Sequence, residues 1–169
     1  MDAKILEALN NQINEEFKSA YQYLGMSGYM ERINLKGFAN WLLVQTQEET
    51  MHAMKIYNFI LDRGGSICLK PIAPGNSNWI SPLKVFEEVH KLEQETTKKI
   101  NTIVKLAIEK NDYATHTFLQ WFIMEQVEEE ALASELVENL KLADNSGLLL
   151  LDRELGQRTF SELSPINKK

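Results

Sequence analysis

A chain of 169 residues, 44% of them hydrophobic and 25% charged, is long enough for one domain, residues 1–169, to bury a core without staples. Its single cysteine, Cys68, excludes an intrachain disulfide and suits a reducing compartment, so a cytoplasmic location is expected. Acidic residues outnumber basic ones 24 to 18, which argues against a nucleic-acid partner and is compatible with attracting cations.

From Met1 to Phe17 charged and apolar residues are mixed, so neither a signal peptide nor a membrane span is expected. The four prolines and eight glycines mostly cluster, leaving long stretches that read as helices. The first runs from about Lys4 to Arg32, with Ile5, Leu9, Ile13, Ala20 and Ser27 on one face. After a break near Asn34, a second spans about Leu35 to Arg63, its face carrying Phe38, Leu42, Ile56 and Phe59, and Gly64-Gly65 ends it. Ser81 as N-cap and Pro82 in the first turn start a third, which continues to about Lys110 behind Phe86, Val89, Ile100, Val104 and Ala107. An Asn111-Asp112 junction leads to a fourth ending near Leu142. Asn145-Ser146-Gly147 opens a short fifth helix, Leu148 to about Gln157, and the last dozen residues read as a loose tail.

The segment Gly64 to Ser81 is too long for a turn between neighbouring helices. Each long helix spans roughly 40 Å, and an extended segment of this length reaches on the order of 55 Å, enough to cross the bundle. The second and third helices then run parallel. The expected fold is all-α, a four-helix bundle with one long crossover and a short C-terminal helix, an arrangement of the ferritin-like type.

Each long apolar stripe is interrupted near its middle by a group that ought not to be buried. Glu16 lies three residues after Ile13 and four before Ala20. Glu49 lies seven after Leu42, and His52 four before Ile56. Glu93 sits four after Val89 and seven before Ile100. Glu129 follows Phe122 by seven and precedes Leu132 by three, with Gln126 one turn earlier. From Glu16 to the first turn, and from that turn back to Glu49, the rises are each roughly 20 to 27 Å, and the same count from Glu93 to Glu129 gives similar values, so the four carboxylates can meet at one level. Any one of them alone would read as part of a solvated face, as would the run Glu128-Glu129-Glu130. Burying four together demands compensation by protons or a cation, and oxygen ligands with one imidazole suit iron or manganese, with zinc as a competitor.

At this point the chain resembles the bacterial non-haem ferritins over nearly its whole length. The likeness rests on Asn14-Glu15-Glu16 and Tyr23, on Gln47-Glu48-Glu49-Thr50-Met51-His52, on His90-Lys91-Leu92-Glu93-Gln94, and on Phe118 through Glu130. The resemblance implies an iron-storage ferroxidase that oxidises Fe(II) with O2 or H2O2 and lays down ferric mineral inside a 24-subunit shell. It implies one iron on Glu16, Glu49 and His52, a second on Glu49, Glu93 and Glu129 with Gln126 nearby, and Tyr23 beside the pair. Glu48, Glu125 and Glu128 match a third iron site that shares Glu129.

Bacterioferritins and rubrerythrins carry a second Glu-x-x-His in the fourth helix, where this chain has Gln126-Val127-Glu128-Glu129. The bacterioferritin haem-ligating methionine falls on Thr50, with Met51 one residue away on another helix face, so no haem is expected. In animal ferritin shells an acidic three-fold channel occurs, whose positions here are His116 and Leu119.

Overall fold

The computed structural model describes residues 1–160, and the nine that follow, which include most of the expected tail, lie outside the described residues. Five helices appear in chain order: α1 (Ala3–Arg32), α2 (Lys36–Asp62), α3 (Pro82–Glu109), α4 (Tyr113–Leu142) and α5 (Asn145–Leu155). No helix among the described residues is long and apolar enough to cross a membrane.

Local chemistry fixes the helix ends. Asp2, Ser81, Asp112 and Asp144 each accept a hydrogen bond from a backbone N–H of the helix they precede, satisfying donors that the first turn leaves orphaned. Three long helices stop where the chain enters the left-handed region, at Asn34 (φ 63°), Gly64 (φ 68°) and Asn111 (φ 55°). Glycine tolerates that conformation without strain and asparagine better than most residues, so the next amides fold back onto the last turn, as Leu35 N does on Met30 O at 3.0 Å. The α2 and α4 ends are then tied together by Arg63 Nη1 on Asp112 Oδ1 at 3.0 Å.

The crossover runs the length of α1. Near the start of α1, Asn10 donates to Ser66 O and accepts from Cys68 N, while Asn14 donates to Cys68 O and accepts from Lys70 N. Near its end, Arg32 donates to Asn78 Oδ1, and Trp79 packs edge-on to Tyr29 at 5.5 Å. The segment therefore leaves α2 at one end of the bundle and delivers α3 at the other, so α2 and α3 run parallel. Asparagine amides stand in for the backbone partners that an extended strand lacks.

The apolar core forms two blocks. One gathers Ile5, Leu9, Ile13, Ala53, Ile56, Ile60, Ile100, Ile103, Leu119 and Phe122. The other gathers Tyr23, Met26, Phe38, Leu42, Phe86, Val89, Ala133 and Leu136, among others. Between them in all four long helices lies a belt of buried polar residues.

Two details depart from the expected faces. Leu132 is 44% exposed while Ala133 is fully buried, because eleven residues from Phe122 complete three helical turns and ten do not. The fifth helix begins at Asn145, and its leucines divide: Leu148, Leu151 and Leu155 pack on the second block, while Leu149 and Leu150 face outward. Leu119 is wholly buried in the first block, which removes it from any surface channel.

α5 is fastened to α2 by its own aspartate. Leu35, at the N-cap of α2, provides no side-chain cap, and Asp152 Oδ1 accepts from Gly37 N at 2.8 Å and Phe38 N at 3.1 Å. The approach is close enough that a Cβ on Gly37 would stand 1.5 Å from Asp152 O. Gly37→Ala should therefore lift α5 from the bundle and cost on the order of 1–3 kcal/mol, read as a lower Tm and as faster hydrogen exchange across Asn145–Leu155. Unchanged exchange there would mean that α5 docks by some other contact.

Candidate metal centre

Four helices each supply a glutamate to the polar belt: Glu16 from α1, Glu49 from α2, Glu93 from α3 and Glu129 from α4, none more than 7% exposed. His52 lies one turn beyond Glu49, so both project inward together, and its Nδ1 stands 3.8 Å from Glu49 Oε2. Ligand atoms of Glu16, Glu49 and His52 lie within 4.8 Å of one another, and so do those of Glu49, Glu93 and Glu129. Glu49 belongs to both sets. Each set could hold one cation, and one carboxylate is common to both.

Electrostatics shows what the cluster lacks. Burial raises the carboxyl of Glu49 well above the ordinary range, and the charges of Glu129, Glu93 and Glu16 add to the effect. Glu129 is raised for the same first reason, with Glu93 and Glu125 next. Burial pushes Glu93 up to about 7 against the pull of hydrogen bonds from Tyr23 and Gln126. Glu16 also rises through burial, opposed by Glu49 and Gln12. Burial, with the nearby Lys55 ammonium, lowers His52 to about 3, leaving a neutral imidazole near neutral pH. Glu16 Oε2, His52 Nε2 and Glu129 Oε2 are buried without a hydrogen-bond partner among the described residues. Orphaned acceptors of this kind are uncommon in a folded protein, and a cation between them satisfies them.

Neighbouring side chains hold these groups in place. Tyr23 Oη donates to Glu93 Oε1, and burial followed by the Glu93 charge keeps this phenol protonated well above its usual range. Gln126 Nε2 donates to Glu93 Oε2 at 3.2 Å and Glu93 O at 3.3 Å, so it braces that carboxyl group. Gln12 and Thr97 extend the set beyond the sequence reading: Gln12 Nε2 donates to Glu16 Oε1 at 2.9 Å, and Thr97 Oγ1 sits 3.4 Å from Gln126 Nε2. Gln12 precedes Glu16 by one turn and Thr97 follows Glu93 by one turn, so the same spacing marks both. Trp121 is half-buried, its ring 5.3 Å from that of His52 and capped by the Lys55 ammonium at 4.1 Å. A cleft of about 310 Å³ between α3 and α4, lined in part by Thr97, Gln126 and Glu130, reaches this shell.

Glu48, Glu125 and Glu128 are half-buried, less enclosed than the four glutamates of the belt. Among the described residues their carboxylates do not close into a third set of ligand atoms. Glu48 and Glu125 nonetheless lie near enough to act on the charge of Glu129, and Glu48 is paired with Arg158.

A cation entering the centre must expel the protons that Glu93, Glu49 and Glu129 hold. All three are raised, so each holds its proton further up the pH scale than an ordinary carboxyl, and Glu93 gives up its own as pH climbs through about 7. Zn2+ affinity should rise between about pH 6 and pH 8, with protons released on binding, as calorimetry in buffers of different ionisation enthalpy would measure. Affinity flat with pH and no proton release would contradict this protonation state.

Comparison with known proteins agrees with this geometry. The family model of the ferritin-like domain matches residues 6–143. The bacterial non-heme ferritin of Staphylococcus aureus (strain MRSA252) is 38% identical over 164 residues, 96% of this chain and 99% of that relative. That of Bacteroides fragilis (strain 638R) is 41% identical over 155 residues, 92% of this chain and 98% of its own. Among solved structures, an open pore ferritin from the hyperthermophilic archaeon Archaeoglobus fulgidus superposes with a TM-score of 0.93 at 49% identity, over 94% of this chain and 99% of the other. Matched by that family model over most of its length and by relatives and a solved ferritin at 38–49% identity, the chain belongs to the ferritin family.

Proposed function

We propose that this protein is an iron-storage subunit whose buried centre oxidises Fe(II) to Fe(III) with O2 or H2O2, and that 24 copies form a shell in which ferric mineral is laid down. The observation that carries the reading is the pair of ligand sets sharing Glu49. One ferrous ion binds Glu16, Glu49 and His52, and the other binds Glu49, Glu93 and Glu129. Held within roughly 4 Å, the two ions each give one electron to a single oxidant, and two protons balance its reduction to hydrogen peroxide or water. Carboxylate charge favours the ferric product over the ferrous substrate. Tyr23 and Gln126 fix the orientation of Glu93, and the low pKa of His52 keeps it available as a neutral ligand. Glu48, Glu125 and Glu128 provide an outer oxygen-ligand site, reached from the centre through Glu129, that takes a third ion more weakly.

Assembly is supported by the outward apolar residues. Leu149 and Leu150 are 61% and 66% exposed, and Ile80 and Val127 add apolar surface that a monomer would leave in water. A shell of 24 chains of 19.5 kDa weighs roughly 470 kDa. With −6 on each chain, its field draws cations toward it.

Glu49→Ala removes the bridging ligand from both sets. Rapid oxidation of the first two ferrous ions per subunit should disappear in stopped-flow absorbance, a loss of at least about a hundredfold in rate. Rapid oxidation at the wild-type rate would refute the two-ion centre. Light scattering at neutral pH tests the shell independently: the expected particle is the 24-mer, and a monomer or dimer would contradict it.

A further inference from the structure

Arg158 follows α5 by three residues and returns to the polar belt. Its carbonyl accepts from Asn40 Nδ2 at 2.9 Å, anchoring the backbone against α2. From there the guanidinium lies 4.6 Å over the Trp41 ring and places Nη2 2.5 Å from Glu48 Oε2. Trp41 and Glu48 are seven residues apart, two turns along one face of α2, so the side chain lies along that face toward the centre. The side chains of Arg158 and Glu48 are each only 21% exposed, which makes this a sheltered pair. The charges of Glu48 and Glu129 both act on the guanidinium. A permanent, planar cation with two stacked and bonded partners is thus built into the outer acid cluster.

Glu48 is paired with Arg158, and among the described residues its carboxylate forms no set of ligand atoms with Glu125 and Glu128. We propose that Arg158 is the resident counter-ion of the outer cluster, and that a divalent cation binds there by displacing the guanidinium from Glu48. The inference rests on the outer-site reading given above. Its consequence is reciprocal: the third ion weakens the docking of the segment after α5, and that docking weakens the third ion. The outer site becomes an exchange position, occupied in passing, while the inner pair retains its ions.

The test uses assembled apoprotein, wild type and Arg158→Gln, titrated with Zn2+ by calorimetry so that no redox step intervenes. Both should take two tight ions per subunit, and the third should bind about tenfold tighter in the variant, as expected for loss of one charge-assisted competitor. A third ion bound equally or more weakly in Arg158→Gln would overturn the counter-ion role while leaving the outer site standing. A third ion absent from both proteins would remove the outer site and the inference together. Hydrogen exchange on the unaltered protein gives a measurement that needs no variant. Amides of residues 156–160 should exchange faster on the third equivalent of Zn2+ and not on the first two, and no change at the third equivalent would overturn the proposal.

Discussion

Four carboxyl groups share one buried layer, and among the described residues none of them forms an ion pair with a lysine or arginine. An unpaired buried carboxylate costs several kcal/mol, and each neighbour of like charge adds to that cost. The folded chain meets the demand with protons when no cation is present, which is why Glu49, Glu93 and Glu129 are all raised. Cations bound there would meet it better, because they would also satisfy the orphaned atoms of Glu16, His52 and Glu129. The remainder of the fold makes that layer tolerable. Two apolar blocks, one on either side, supply the folding free energy that the belt consumes.

The layer depends on register. Four helices must present one acid each at one height, and a slip of one turn would move a carboxylate by about 5.4 Å, out of ligand range. The left-handed stops at Asn34, Gly64 and Asn111 and the caps at Asp2, Ser81 and Asp112 set where each helix begins and ends. The crossover, pinned by Asn10 and Asn14, fixes α3 and α4 against α1. Stability and function are therefore opposed in the middle of the bundle and aligned at its ends.

Much of this was legible in the sequence because it is local or periodic. Breakers, caps and the 3.6-residue repeat give helix bounds within a few residues, and the interruptions of four apolar stripes at one level point to Glu16, Glu49, His52, Glu93 and Glu129. What escaped reading is what depends on a distant partner. Leu132 is large and hydrophobic yet 44% exposed, while the small Ala133 occupies the inward position, so hydrophobicity alone does not mark burial there. Arg158 fell in a stretch read as a loose tail, since its contacts with Trp41 and Glu48, more than a hundred residues earlier, leave no periodic trace. The division of the α5 leucines likewise required knowing that Asp152 reaches the start of α2.

The central claim is that two cations occupy the belt with Glu49 between them. Anomalous diffraction from crystals soaked in Fe(II) under anaerobic conditions, collected above and below the iron edge, locates them without reference to activity. The account predicts two peaks per subunit, one among Glu16, Glu49 and His52 and one among Glu49, Glu93 and Glu129. Iron confined to surface acids, with no peak inside the bundle, would contradict it.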